Sequence, residues 1–208
     1  LGDYLRQIPG ILANDRYFFR YVIGVMIMLM GQVGIAFLSL HQLERLTLPA
    51  AYVGYFTISM TGGQMLASLF AGRLADAKGH KLNLLLSCAA MGLAAFSALL
   101  PASLALAIVS FAFVGISNTA YSVSRLPIVM EFAPEGFRSV YAGIINTFLA
   151  PVVVLTPVLG GWLVDNFGYG TVFYAALLLN AAAVGVFTFW IRDPRDIKAS
   201  GTGFSQTL

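Results

Sequence analysis

Few side chains in these 208 residues are equipped for chemistry, and most of those that are lie in one stretch, Gly72-Arg73-Leu74-Ala75-Asp76-Ala77-Lys78-Gly79-His80-Lys81. A carboxylate among cations, bounded by glycines, suits reversible ion pairing and hydrogen bonding at a helix end rather than bond making. A second group stands within apolar runs: Gln32, Gln64, Asn118, Ser122, Arg125 and Asn146. Asn118, Ser122 and Arg125 fall at i, i+4 and i+7, which places them on one helical stripe. Such residues either hydrogen-bond between helices or line a polar cavity.

Other chemistry is poorly served. His41 and His80 stand at the ends of apolar runs, and His80 is expected to be a solvated loop residue. Gly115-Ile116-Ser117-Asn118 lacks the G-x-S-G form of an intramembrane serine protease, and no histidine lies at membrane depth to activate a serine, so no enzyme is expected. Paired Asn-Pro-Ala half-helices of a water channel are missing. Cys88 has no second cysteine to pair with and is expected to act as a buried small hydrophobe. Neither a metal nor a cofactor is expected.

The elements that must hold these groups are membrane helices. The chain is 59% hydrophobic and 10% charged, with a mean hydropathy of +0.83, whereas soluble domains are roughly 25% charged. A span needs roughly 20 apolar residues. Six are expected, at about 17–43, 50–71, 82–100, 102–130, 139–164 and 171–191, giving a transmembrane domain over 17–191 with units 17–100 and 102–191. Residues 1–16 read as a cytoplasmic linker or interfacial segment, and 192–208 as a cytoplasmic tail. No signal-peptide pattern is present; beginning at Leu1 rather than Met suggests a chain cut from something longer. Thr47 and Pro49 are expected to open the second helix. Pro151 and Pro157 are expected to kink the fifth.

The charged stretch returns once. Gly161-Trp162-Leu163-Val164-Asp165-Asn166-Phe167-Gly168 repeats its G-x-L-x-D-x-x-G spacing without a lysine or arginine. Asp165 is expected to cap this external turn between Gly161 and Gly168, as Asp76 would cap the first. Basic residues favour the cytoplasmic side, so the two turns are expected on opposite faces, with three spans between them. Arg6, Arg16, Arg20, Arg73, Lys78, Lys81, Arg138, Arg192, Arg195 and Lys198 fall on one face by this count, against Arg45 alone on the other. Both termini are therefore expected in the cytoplasm. The result is an all-α membrane fold of two inverted three-helix repeats, an arrangement common among secondary transporters. Spans one, two, four and five carry Gln32, Gln64, Asn118 and Asn146. They are expected to face a cavity or partner, and spans three and six to face lipid, with Ser87, Cys88 and Ser97 as the polar groups of the third. Asn180 in the sixth is expected to bond a backbone carbonyl locally.

Gly72 to Lys81 resembles the signature loop of the major facilitator superfamily, G-x-L-x-D-[RK]-x-G-[RK]-[RK], in its second-half position. Ala77 and His80 depart from it. Glu131 and Arg138 resemble the acid and base at the cytoplasmic ends of the fourth and fifth spans of such a half. The span order and the Pro9-Gly10 lead are similar to the C-terminal half of a twelve-span member over nearly the whole chain. The resemblance implies alternating access, with two six-helix halves rocking about a central site. It also implies a conformational latch of Gly72, Arg73, Asp76, Gly79, Lys81, Glu131 and Arg138, in which Asp76 accepts hydrogen bonds at a neighbouring helix N-terminus.

The expected partners are membrane lipid, a small-molecule substrate, and either a missing N-terminal half or a second copy; the expected membrane is the plasma (inner) membrane. Nucleic acid is not expected, because the basic residues are spread over loops rather than gathered in a patch. A non-transporting six-span scaffold or sensor is the alternative.

Overall fold

The structure is a computed structural model that describes residues 15–195. The expected linker before Asp15, with Arg6 and Pro9-Gly10, and the tail after Arg195, with Lys198, lie outside the described residues. The described chain is an up-and-down bundle of helices: α1 (Arg16–Leu46), α2 (Tyr52–Lys78), α3 (His80–Leu99), α4 (Leu104–Phe132), α5 (Arg138–Phe167) and α6 (Tyr169–Trp190). All but α2 are long and apolar enough to cross a membrane. At 27 residues α2 has the length, but Gly54, Thr57, Ser59, Thr61, Gly62, Gly63, Gln64 and Ser68 dilute its hydropathy.

Each helix boundary has a local cause. The Asp15 carboxylate caps α1, accepting from Phe18 N at 2.9 Å, which satisfies one of the donors a helix start leaves open. Thr47 closes α1 in a left-handed conformation (φ 51°) instead of opening α2, which begins beyond Pro49. Gly79 (φ 85°, ψ 162°) ends α2, and Gly168 (φ 81°, ψ 169°) ends α5. Only glycine occupies this region readily. The repeat read from sequence is therefore matched in the backbone, but the reading of both motifs as turns is corrected: helix continues through Gly72 to Lys78 and through Gly161 to Phe167, so Asp76 and Asp165 stand in last helical turns. Only the final glycine of each motif breaks the chain, because an interior glycine lowers helix propensity without ending a helix that packing supports. α5 likewise runs on through Pro151 and Pro157.

The core has two main parts. At the end bearing Asp15 and Gly79, Phe18, Tyr21, Val25 and Met28 of α1 pack with Leu84, Cys88, Ile128, Tyr141, Ile144 and Phe187; the Phe18 and Tyr141 rings lie 4.5 Å apart. Toward the other end, Leu38, Met91, Ala94, Phe111 and Phe173 enclose Phe56, whose ring stacks on Phe111 at 4.6 Å. Between these parts α1 tightens into a 3-10 turn at Gly31–Gly34. There Asn180 Nδ2 donates to Gly31 O and to Ala176 O, each at 2.8 Å. The local bond expected of Asn180 is present, and it is joined by one that ties α6 to the irregular turn of α1.

The expectation that spans three and six face lipid fails for α3. That helix is the most enclosed of the bundle and keeps only a narrow exposed stripe at Leu86, Leu93 and Phe96. Its serines form the seam with α4. Ser87 Oγ donates to Ser117 O at 3.0 Å, Ser117 Oγ returns a bond to Ser87 O at 2.9 Å, and the Ser97 and Ser110 hydroxyls lie 2.6 Å apart. Small hydroxyl residues allow close approach between membrane helices, so weak polarity here marks a packing seam. The polarity pattern also passes over Asn83, which is buried and donates to Ala71 O at 2.8 Å and Ser124 Oγ at 2.9 Å. α6 does keep a broad exposed side at Tyr174, Leu178 and Phe189.

The helices left most open are α2 and α5. α2 touches the bundle along Phe56, Gly63, Ala67, Ala71 and Ala75, and exposes Ile58, Met65, Leu66, Leu69 and Phe70. α5 beyond Leu149 touches it along Val152, Thr156 and Gly160, and exposes Val154, Leu155, Val158 and Trp162.

Candidate functional site

Three places hold the residues singled out from sequence. The first is the end of the bundle where α2 hands over to α3. Gly79 turns the chain there, and its missing side chain leaves room for Asp193, whose Oδ2 would lie 2.6 Å from a Cβ at that position. Asp193 Oδ1 accepts from Arg195 N at 3.0 Å. The Arg195 guanidinium then bridges two helices, with Nη1 donating to Asp76 O at 3.1 Å and Nε to Glu131 Oε1 at 3.1 Å. The basic partner of Glu131 is thus Arg195, and Arg138, with which the resemblance paired it, is exposed at the start of α5 with no acid bound among the described residues. Sequence reading placed Arg195 in the departing tail. The signal that would have found it is the acid-proline-base run Asp193-Pro194-Arg195, whose Asp193 lies against the Gly79 corner.

His80 is also corrected. It opens α3, its side chain is only 12% exposed, Nε2 lies 4.0 Å from Glu131 Oε1, and Nδ1 lies 3.1 Å from Ser124 Oγ. Ser124 in turn accepts from Asn83, so a polar chain runs from Glu131 through His80, Ser124 and Asn83 to the Ala71 carbonyl. It ties α4, α3 and α2 together at this end. The Asp76 carboxylate is not part of it: Asp76 is exposed, and its side chain has no hydrogen-bond partner among the described residues. Arg73 is likewise exposed on the outer side of α2, and Lys81 is half-buried in the first turn of α3.

The second place is the wall of α4. Ser122 and Arg125 are exposed and Asn118 is half-buried on one stripe. Ser122 Oγ donates to Thr119 O at 3.0 Å, and the Arg125 guanidinium lies over the Tyr121 ring, 5.9 Å from its centroid. The other polar residues stand on other helices. Gln32 is half-buried in the 3-10 turn of α1, and Asn146 is exposed on α5. Gln64 lies where α2 crosses α4, its carbonyl taking a 3.4 Å bond from Thr119 Oγ1. No side-chain hydrogen bond among the described residues joins Gln32, Gln64, Asn118 and Asn146 into one closed constellation. They are separate polar points on four helices.

The crossing beside Gln64 is very close. A Cβ on Gly63 would run into Ala112 O, and one on Gly115 would run into Met60 O, while Ser59 Oγ donates to Ile108 O at 2.6 Å. α2 is therefore held to α4 by backbone contact across paired glycines. The third place is the opposite end of the bundle. Gly161 is half-buried, and Asp165 and Gly168 are exposed. Arg45, the one lysine or arginine at this end among the described residues, donates to Ala98 O at 2.9 Å.

Comparison with known proteins gives two findings. A family model described as the Major Facilitator Superfamily matches residues 10–206. A curated protein, "MFS-type transporter TOXA" of Cochliobolus carbonum, is similar to this chain, with 30% identity over 95 residues, which is 45% of this chain and 17% of the relative's length. The match thus spans less than a fifth of that relative.

Proposed function

From the premise that this integral membrane chain belongs to the major facilitator superfamily, we propose that it forms one half of a secondary active transporter, moving a small solute by alternating access. The observation that carries this reading is the pair of glycine corners, Gly79 and Gly168, with the same unusual backbone and the same spacing to an aspartate, at opposite ends of one bundle. Inverted three-helix repeats of this kind build the halves of such transporters, with the substrate path near mid-membrane.

The open faces of α2 and α5 support the rest of the scheme. Each rests on the bundle along one stripe and presents large apolar side chains on the other sides. In the proposed assembly a second six-helix body, either an N-terminal half or another copy of this chain, covers part of them. Asp76, exposed at the end of α2 with its carboxylate free, is the group that would latch to a helix start on that body. Arg73, Lys81, Glu131 and Arg138 set the charge around the latch. The Glu131–Arg195 pair holds α2 and α4 in register on the near side. The solute would pass the wall formed by Gln32, Asn118, Ser122, Arg125 and Asn146, with Gln64 at the joint. The basic end, with both termini, is placed in the cytoplasm by the positive-inside rule, in the plasma membrane.

The test is counterflow of candidate solutes by the full-length protein in sealed vesicles. Saturable flux that Asp76→Asn slows, while the protein remains folded and inserted, is the expected result. Specific capture of a partner protein with no flux of any solute would assign the chain to the scaffold class.

A further inference from the structure

The seam where the end of α6 meets the start of α1 carries three arginines that no acid neutralises among the described residues. Arg16 and Arg20 stand four residues apart and so share one face of α1. α6 ends beside them in a π turn, Val186–Trp190, marked by the bond from Ile191 N to Val186 O at 3.1 Å. Such turns are rare and frequently mark functional sites. Beyond it Ile191 is extended (φ −98°, ψ 123°) and buried against Gly24 of α1, whose missing side chain leaves the room. Side chains alternate along extended backbone, so Trp190 and Arg192 lie on the outer side, and both are exposed.

The Arg20 guanidinium lies over the Trp190 ring, 5.4 Å from its centroid, and attraction to the ring face holds it at the seam. The acids that flank the arginines in sequence are engaged elsewhere. Asp15 accepts from Phe18 N and, through Oδ2, from the Tyr141 hydroxyl at 3.1 Å. Asp193 lies against Gly79 and accepts from Arg195 N. Arg16, Arg20 and Arg192 form no ion pair among the described residues, and the Trp190 indole N–H has no hydrogen-bond partner among them. A guanidinium is donor-only, and the ring face leaves its in-plane N–H groups open to an acceptor.

What fits such a seam is an anion with an apolar body. Phosphate meets a guanidinium through two parallel N–H bonds, and tryptophan at the end of a spanning helix stands at headgroup level. Phe189, 90% exposed, precedes Trp190, and Phe19, also exposed, stands three residues after Arg16; both offer acyl chains an apolar surface that free phosphate would not use. Basic pockets between spanning helices bind anionic headgroups in this way. We propose that Arg16, Arg20 and Arg192, with the Trp190 indole, bind the phosphate of an anionic phospholipid at the seam of α1 and α6. The proposal needs the chain seated in a bilayer and not the transport scheme, so flux plays no part in its test.

The full-length protein, with Trp190 kept and every other tryptophan, Trp162 included, replaced by phenylalanine, is placed in bilayers of equal phosphatidylglycerol and phosphatidylcholine. Bromine is carried near the top of the acyl chains of one lipid or the other. Composition stays constant, so the difference in quenching of Trp190 fluorescence reports which lipid occupies the seam. Brominated phosphatidylglycerol is expected to quench more strongly. A basic residue near the surface is worth roughly fivefold in affinity for an anionic lipid, so Arg20→Gln should lower the preference by about that factor. Arg20→Lys should lower it less, because the paired geometry is lost but the charge kept. Arg16→Gln combined with Arg192→Gln, both exposed and outside the core, should lower it further with the fold retained. Lys78→Gln removes one exposed charge from the same end, on α2, and should leave the preference in place. Equal quenching by the two lipids, or a preference unchanged by the Arg16 and Arg192 substitutions, overturns the proposal. So does an equal loss in Lys78→Gln and Arg20→Gln, since diffuse attraction to the basic end would then suffice.

Discussion

Arg195 Nε lies 3.1 Å from Glu131 Oε1, and the same guanidinium donates to the Asp76 carbonyl at 3.1 Å, so the chain leaving α6 is pinned to the ends of α4 and α2 at once. Both side chains keep contact with solvent, at 42% and 24% exposure, so screening limits the pair to about 1 kcal/mol at most. Glu131→Gln is therefore expected to leave the unfolding temperature nearly unchanged while hydrogen exchange at residues 192–195 quickens. Exchange there at the parent rate would show that the pair holds nothing.

Gly62 and Gly63 are neighbours with opposite surroundings. A Cβ at Gly62 meets open space, whereas one at Gly63 would run into the Ala112 carbonyl on α4. Gly63→Ala is expected to cost about 1–3 kcal/mol, the range for forcing atoms into a packed contact, and Gly62→Ala to be neutral or slightly stabilising, because alanine is the better helix former. Unfolding of the two purified variants in one detergent decides it. Equal behaviour would mean that α2 is not held against α4 by this crossing.

What could be read from the sequence divides along physical lines. Helix number and order were legible because long apolar runs are a strong, local signal, and the repeat was legible because glycines that permit positive φ recur at fixed spacing from an aspartate. Burial was less so. The serines of α3 are weakly polar whether they face lipid or a neighbour, and only the positions of Ser117 and Ser110 on α4 reveal the seam. Equally, nothing in the spacing of His80 shows that Glu131 and Ser124 lie beside it, since these contacts cross from one helix to another 44 and more residues away. For the wall residues the sequence supplied the stripe on α4, but it gave no hint that the Tyr21 hydroxyl of α1 would be buried without a hydrogen-bond partner.

Asn180 offers a test of the irregular turn in α1. Its amide bonds Gly31 O and Ala176 O, and polar contacts between membrane helices average about 0.6 kcal/mol with a maximum near 1.7 kcal/mol. Asn180→Leu loses both and brings a bulkier, branched group against Gly31, which already lies within 2.6 Å of the amide by the measure of an added Cβ. A loss of about 1–2 kcal/mol is expected, with faster exchange of the amides around 31–34. Exchange confined to α6 would show that the turn is fixed by its own sequence.

The glycine corners can be set against each other. Gly79 and Gly168 share a backbone region open to glycine alone, for which alanine costs about 1–3 kcal/mol at either site. Their surroundings differ: Gly168 faces open space, and Gly79 faces the Asp193 carboxylate. Gly79→Ala is expected to destabilise more than Gly168→Ala, and Asp193→Ala should shrink the difference in a double-mutant comparison. Equal losses in the two single variants would mean that Asp193 does not pack into the corner.

The last prediction concerns sidedness. The helices α3, α4 and α5 separate the corner after Asp76 from that after Asp165, and the basic residues gather at the first, so positive-inside sorting places Asp76 in the cytoplasm and Asp165 outside. Both are exposed, and the native Cys88 is buried, so Asp76→Cys and Asp165→Cys can each be read against a quiet background. Applied to intact cells, an impermeant maleimide is expected to label Asp165→Cys alone, and Asp76→Cys only after permeabilisation. The reverse pattern would invert the orientation and leave the repeat intact. Labelling of both from one side would remove the odd number of crossings between them, and with it the inverted repeat on which the two-half transporter rests.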